Sequence, residues 1–513
     1  MDGGQVTRIA VYDRYWSTYG GGEQFAGGIA SVLSERFDVD LLGPQPVDVE
    51  QQRERLGLDL SRCGTRLIDT ERDVTRASAD YDLLINTTFL SNAACHARRG
   101  LYVVHFPGAL TNPKTLRMDA ARRTLTQKRN QPAVVFREGF MAERADVRGR
   151  LTDGVGLLEF CGAAGTNVEL KLSTERWPDG EQPSVQVRTP TGVVFDQRVD
   201  RSADAIATFE LDGSLPMVVW VSSPSHSPES VGLPWHLKRV GAAVTAIRMD
   251  GVDIALTGGH IATKLLPPDR LGFLDTYQRL VSNAVFTQGW VDKLWHQTSD
   301  VLYPPVRRFV PTAGVDKENI ILSLGRFFGA EGGHSKKQLE MVEAFRLLSE
   351  SGGAGDWTLH LVGGCSKEYR EYAMAVKRAA VGLNVKVHLN APGALVQELL
   401  GKASIYWHAT GFGEDVTTHP DRFEHFGISV VEAMSAGAVP VVLNQAGPAE
   451  IVQAGVSGEH FSDLADLARR TAALMADPVR RSAMATATAE RAEFFGYDAF
   501  RPRLFALVES LLA

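Results

Sequence analysis

Short apolar runs alternate along the chain with longer stretches whose apolar residues recur at helical spacing. Arg8-Ile-Ala-Val-Tyr12 reads as a buried strand, and after Gly20-Gly21-Gly22 the segment 23–33 (EQFAGGIASVL) carries a helical stripe. Further strands are predicted at 39–42, 82–85 and 101–104. Strands that alternate with helices imply a parallel sheet covered on both faces. From about residue 151 to 254 the period drops to two, in runs at 168–172, 184–188, 193–199, 207–211, 217–221 and 242–248 separated by Gly, Pro, Asp and Ser. That pattern predicts a small antiparallel sandwich inserted into the first α/β domain. Helical and strand patterns resume near Leu271, with 283–287 predicted as the next strand. Pro304-Pro305 removes two backbone donors and holds the chain extended, as suits an interdomain crossing. A second α/β series follows, with strands at 320–324, 358–362, 385–389, 404–408 and 439–443, and 463–513 is helical.

The expected organisation is a first Rossmann-like domain from 1–110 and 262–304, a connecting segment at 111–150, a β-rich module at 151–261, a second Rossmann-like domain at 305–495, and a last helix at 496–513. With 513 residues, 44% of them hydrophobic, there is material for two to four domains. A formal charge of −7 argues against general nucleic-acid binding. Segment 114–150 is locally basic, with ten Lys or Arg against four Asp or Glu, which would suit an anionic acceptor but is by default a solvated surface. Cys63, Cys95, Cys161 and Cys365 lie far apart, without metal-ligand spacing, and read as thiols of a reducing compartment. No apolar run approaches the ~18–20 residues of a membrane span, and the N-terminus lacks the pattern of a secretory signal. The expected location is the cytoplasm, with peripheral contact at the inner face of a membrane left open.

The chemistry concentrates in Glu424-His-Phe-Gly-Ile-Ser-Val-Val-Glu432, followed by AMSAGAVPVV. An HFG turn opens a helix between two carboxylates. Were the whole span helical, the eight-residue step would rise about 12 Å, the scale separating a nucleotide's ribose from a sugar beyond its diphosphate. The N–H groups of Phe426, Gly427 and Ile428 at the helix start would face an anion. This constellation resembles the retaining family-4 glycosyltransferases of the GT-B fold, whose signature is Glu, seven residues, Glu. The wording EHFGISVVEAMSAG is similar to that of lipid-linked-oligosaccharide α-1,2-mannosyltransferases and their bacterial relatives. The resemblance implies two facing Rossmann-like domains, here with a β-sandwich inserted in the first, and a last helix that crosses back to the first domain. It also implies that Glu424 lies beside the donor sugar and that Glu432 accepts hydrogen bonds from ribose hydroxyls.

Arg326 follows strand 320–324, and Lys336 precedes a helix. In the family such cations grip the leaving diphosphate, whose growing negative charge fixed cations stabilise most in the transition state. The family separates the two by about four residues and this chain by nine, so Lys337 stays open beside Lys336. Gly21 and Gly22 match the glycine-rich loop that faces the diphosphate, although the loop is neither G-x-G-x-x-G nor a Walker motif. His105, in VVHFP, resembles the histidine that contacts the donor sugar. The 404–411 stretch resembles the strand and loop that close the donor pocket, and Gly363-Gly364 reads as a sheet edge bordering the nucleotide. In the β-rich module, His236-Leu-Lys238-Arg-Val-Gly241 departs from the D-x-R-x-L-G of similar appended modules, which leaves a structural or acceptor-positioning role. The implied reaction moves a hexosyl unit, mannose or another hexose, from GDP-mannose or a UDP-hexose to a glycan, lipid-linked or small-molecule hydroxyl with retention. It uses no metal and no cofactor beyond the nucleotide sugar. The alternatives are a non-catalytic sugar-nucleotide or glycan binder, or a phosphorylase or epimerase on the same fold.

Overall fold

The computed structural model describes residues 7–108, 133–136, 139–141, 148–178, 180–213, 217–227, 239–254, 256, 272–309, 316–329 and 335–513. Most of the basic 114–150 segment, the 236–238 part of the module motif and the 330–334 stretch between Arg326 and Lys336 lie outside them.

The first lobe is a seven-stranded parallel sheet in the order Asp300–Val301, Arg279–Ser282, Arg99–Val104, Leu83–Asn86, Arg8–Tyr12, Asp38–Gly43, Gly64–Leu67. Both faces are covered, so the central strands are apolar on both sides: Ile9, Val11, Leu41, Leu83 and Ile85 are inaccessible to solvent. The chain winds one way from Arg8–Tyr12 and the other way from Leu83–Asn86. That switch point brings Asp13, the Gly20 turn and Thr87 to one sheet edge, beside the end of Arg99–Val104 that carries His105. The second lobe repeats the device in six parallel strands: Val385–Leu389, Thr358–Gly363, Glu318–Leu324, Ala403–His408, Val439–Leu443, Glu459–Phe461. Its switch point lies between Glu318–Leu324 and Ala403–His408 and delivers Arg326 and His408.

The expected strand at 283–287 is not formed. The strand ends at Ser282, and Val285–Trp295 is a helix capped at Ala284. Val285, Phe286 and Thr287 have strand-forming side chains, but Thr287 Oγ1 donates back to Asn283 Oδ1 (2.6 Å), and Thr287, Val291 and Trp295 bury at four-residue spacing. The module also begins earlier than expected. Ala133–Phe136, placed by the sequence in the connecting segment, pairs antiparallel with Val155–Cys161 as an edge strand of the sandwich.

That sandwich consists of two five-stranded sheets around Phe160, Leu170, Val185, Val219 and Ile247. It is fused to the first lobe, not tethered to it. Val218 and Trp220 share a core with Tyr81, Leu84, Tyr102 and Tyr277, and the buried Arg188 guanidinium donates to the Ala97 carbonyl.

Two strands of chain join the lobes side by side: Val306 N–H donates to Phe495 O (2.8 Å), next to a bridge between Val306 and Gly496. The helix Tyr497–Leu512 then packs Phe500, Leu504, Phe505 and Val508 onto first-lobe residues Ile9, Phe25 and Ile29. Gly28 permits this crossing, since a Cβ there would lie 2.6 Å from Pro305 Cγ. A further contact comes from Glu450 of the second lobe. It caps the first-lobe helix Val285–Trp295, accepting from Val285 N–H (2.9 Å), Phe286 N–H (3.2 Å) and the Tyr303 hydroxyl.

Candidate active site

On the second-lobe wall, Glu318–Leu324 ends in Gly325-Arg326. Nothing larger than glycine fits at 325, because a Cβ would stand 2.7 Å from Lys336 Cγ. The Lys336 stem therefore runs over Gly325, and its ammonium reaches Glu424 Oε2 at 2.5 Å. Gln338 fixes the same loop by donating to Gly325 O (3.3 Å) and Arg326 O (3.1 Å), and Tyr372 orients the Gln338 amide (3.1 Å). His408 Nε2, at the end of Ala403–His408, lies 3.0 Å from Glu424 Oε2, and Thr410 Oγ1 is 3.3 Å from that nitrogen. Glu424 is thus held between an ammonium and an imidazole. The two lysines left open by the sequence point to different partners: Lys337 Nζ is paired with Glu414 (2.8 Å), which also binds Arg422, while Lys336 stands beside Glu424. Arg326 is exposed and forms no ion pair among the described residues.

The Glu424–Glu432 span is not one helix. Glu424 precedes the turn, Gly427 is the N-cap with φ 114°, and the helix runs Ile428–Ser435. The 12 Å rise along an unbroken helix therefore does not apply, and the left-handed conformation at Gly427 is why glycine stands there. Its first internal bond is Val430 N–H to Gly427 O (3.0 Å) and no side chain caps it, so the N–H groups at Gly427 and Ile428 point off the helix start. Glu432 lies one turn in, half-buried beside Tyr406, whose hydroxyl donates to Ser429 Oγ (2.9 Å). Burial pushes the Glu432 carboxyl up to about 7, and no described residue hydrogen-bonds to it.

On the opposite wall, the helix Gly21–Leu33 starts from a glycine N-cap, Gly20, again without a side-chain cap. Buried Glu23 folds back to accept from Gly20 N–H (2.5 Å). Gly22 faces His105: a Cβ on it would be 3.7 Å from His105 Cε1. His105 Nε2 lies 2.7 Å from the Thr87 carbonyl, which only accepts, so Nε2 carries the proton. Burial lowers this imidazole's proton affinity, which keeps it neutral with Nδ1 as an acceptor. Behind the turn, Asp13 accepts from Tyr15 N–H (2.7 Å), and burial, reinforced by Glu23, pushes its carboxyl up to about 8.

The two walls touch. A Cβ on Gly21 would be 3.1 Å from Ile428 Cδ1. The residues following His105 and Glu424 stack across the cleft, with Phe106 and His425 rings 4.0 Å apart and 8° from parallel. Gly21, Gly22 and His105 therefore face Phe426, Gly427 and Ile428, with Lys336 and Glu424 on the second-lobe side. Sequence reasoning quoted the stretch holding His408 but gave that residue no role, and it missed Gln338, Asp13 and the Phe106–His425 stack. A polar residue at the C-terminal end of a parallel strand was the available signal for His408 and Asp13. Among the described residues no cluster of His, Cys, Asp or Glu is arranged to hold a metal, and no helix is long and apolar enough to cross a membrane.

Residues 309–491 match the family model described as glycosyl transferases group 1. A Neurospora crassa protein, GDP-Man:Man(3)GlcNAc(2)-PP-Dol alpha-1,2-mannosyltransferase, is 27% identical over 215 residues, a match that spans 35% of this chain and 35% of that protein. Among solved structures, Anabaena HepE in complex with UDP superposes with a TM-score of 0.53 at 12% identity, over 98% of this chain and 100% of that one. Sucrose-phosphate synthase from Thermosynechococcus elongatus gives 0.52 at 13%, over 98% and 99%. At such identities the likeness speaks for the fold. The chain has the GT-B fold, and its residues 309–491 form a glycosyl transferases group 1 domain.

Proposed function

We propose that the protein is a retaining, metal-independent hexosyltransferase that uses a nucleotide-diphosphate sugar. One observation carries the reading: two helix N-termini, each starting from a glycine whose missing side chain leaves the approach open, meet across the cleft beside the Lys336–Glu424 pair, with Glu23 folded back on Gly20 N–H at the first and no side chain capping the second. Both helix ends present partial positive charge, so the space they share favours a diphosphate. Arg326 adds a full charge on the second-lobe side, and Lys336, paired with Glu424 until the diphosphate arrives, joins it in stabilising the anion that forms as the sugar leaves. Glu432 accepts from ribose hydroxyls, and neutral His105 accepts from a sugar hydroxyl through Nδ1.

In the step itself the bond from the anomeric carbon to the diphosphate oxygen breaks. The acceptor oxygen bonds to the same face of that carbon, and its proton passes to the departing phosphate. Glu424 stabilises the positive charge on the sugar between those events. GDP-mannose is the first donor to try, given the name of the Neurospora relative, and UDP-glucose the second, given UDP in the HepE structure.

Release of nucleoside diphosphate from each donor, with the anomeric configuration of the product read by NMR, tests the reading. Glu424→Ala should abolish turnover without unfolding the chain. No release from any donor would leave a sugar-nucleotide binder, and a requirement for inorganic phosphate would indicate a phosphorylase.

A further inference from the structure

Lys336 and Lys337 are neighbours in the chain, yet they pair with carboxylates at opposite ends of one loop, 411–424. Lys336 takes Glu424 at its end (2.5 Å), and Lys337 takes Glu414 near its start (2.8 Å). The loop is built from its own turns. Glu414 N–H donates to Gly411 O (3.1 Å), His419 N–H to Asp415 O (2.8 Å), and Arg422 N–H to His419 O (3.1 Å). Its base is pinched shut, because Gly411 lies so close to the buried Phe423 ring that no Cβ would fit there.

Glu414 does more than pair with Lys337. Its second oxygen, Oε2, accepts from Arg422 Nη1 (2.9 Å), two residues before Glu424. One carboxylate therefore clasps the neighbour of Lys336 and a near neighbour of Glu424. The hydrogen bond from Lys337 holds this carboxyl below its ordinary range, so the clasp is charged at neutral pH. The backbone of Lys337 is left-handed, with φ 57° and ψ 41°, a conformation that side chains other than glycine's rarely adopt. That turn, at the start of the helix Gln338–Glu350, sends Lys336 over Gly325 into the cleft and Lys337 back into the protein. Lys337 is buried and Glu414 is its carboxylate partner, so removing the carboxylate would leave an uncompensated charge inside the lobe. Both oxygens of Glu414 are engaged in the clasp, which makes its contribution one of placement.

We propose that Glu414 is a positioning residue for the transfer step: by clasping Lys337 and Arg422 it sets where Lys336 and Glu424 stand relative to one another. The assignment rests on the transferase reading above and adds a residue that acts on the reacting pair from behind.

Transfer from GDP-mannose and UDP-glucose is measured in the full chain, with GDP and UDP titrated calorimetrically alongside. Glu414→Gln keeps the shape of the side chain and removes its charge. Misplacement of a reacting group by about 1 Å can cost a hundredfold, so kcat should fall at least tenfold. The nucleotide Kd should shift less than threefold, because Arg326 and the start of Ile428–Ser435 are untouched. Lys337→Gln should lower kcat by a similar factor, and the double variant by no more than either single one, since both remove the same clasp. Arg422→Gln removes one arm from a more exposed position. It should lower kcat three- to fivefold at unchanged Tm, and it reads the clasp even if the Glu414 variant fails to fold. A general loosening of the lobe would instead weaken nucleotide binding in step with kcat, and the losses of the single variants would multiply. Either result, or a kcat that Glu414→Gln and Arg422→Gln leave unchanged, overturns the positioning role alone. No release from any donor by the wild-type chain defeats the transferase reading, and this assignment with it.

Discussion

Replacing Glu432 by glutamine separates the cost of a buried charge from its use in binding. Burial raises this carboxyl from an ordinary 4.5 to about 7. A raised carboxyl opposes folding: between those values the unfolded chain gives up the proton and the folded chain keeps it. Stability therefore falls as pH rises through this window and is level on either side of it. At about 1.4 kcal/mol per pH unit the interval is worth ~3 kcal/mol. The side chain keeps some contact with water, and solvent screening reduces the figure to ~1–2 kcal/mol. Glu432→Gln should leave the melting temperature unchanged near pH 4.5 and raise it near pH 8, read by calorimetry across that range. Nucleotide affinity should move the other way. On the proposed reading an ionised Glu432 accepts ribose hydroxyls in charge-assisted bonds of ~1.5–3 kcal/mol, so the variant should bind nucleoside diphosphate at least tenfold more weakly near pH 8. Wild-type affinity should rise from pH 6 to 8, with a proton released that titration in two buffers can count. A stability gain that is the same at both pH values, or an affinity indifferent to pH and to the substitution, refutes the reasoning.

Three further outcomes follow from the same geometry. Glu424→Gln frees Lys336 from its 2.5 Å ion pair, so nucleoside diphosphate should bind several-fold more tightly while transfer falls at least a hundredfold; weaker nucleotide binding would contradict this. Gly21→Val places methyl groups where a Cβ already lies 3.1 Å from Ile428 Cδ1. The lobes should be wedged apart, seen as a larger radius of gyration in X-ray scattering and a donor KM raised at least tenfold, and an unchanged radius counts against that contact. Glu450→Gln removes the charge that caps the Val285–Trp295 helix across the lobe boundary. It should cost ~1–2 kcal/mol and speed amide exchange at residues 285–288, and unchanged exchange there would argue that the cap is incidental.

The features legible in the sequence are those that local chemistry dictates. The central strands are apolar on both faces, so 320–324, 358–362 and 439–443 could be read directly, and the glycines at 21, 22 and 427 mark helix starts in the structure. The second-lobe side of the candidate site was legible because Glu424, the HFG turn and Glu432 are contiguous. What escaped was fixed by distant partners. Val285-Phe-Thr287 has strand-like side chains but is turned helical by its burial pattern and by Glu450 from the other lobe. The choice between Lys336 and Lys337 depends on Gly325 and Glu414, 11 and 77 positions from the respective lysines. Ala133–Phe136 is too short to stand out within a basic stretch and becomes a strand only by pairing with Val155–Cys161.

The charge arrangement of the cleft clarifies what each wall contributes. On the second-lobe side the ammonium of Lys336 is already committed to Glu424, so it adds little net attraction for an incoming anion. On the proposed reading, Arg326, exposed and without an ion pair among the described residues, and the uncapped start of Ile428–Ser435 would supply the positive field that first draws a diphosphate in. A diphosphate bound there, as proposed, would compete with Glu424 for Lys336, and whatever share of Lys336 it took would leave Glu424 more negative just as the sugar beside it became positive. One lysine can thus serve both halves of the breaking bond, steadying the leaving anion while releasing the carboxylate that faces the cation. That coupling requires Lys336 to stand between the two partners, and the passage of its stem over Gly325 is what puts it there.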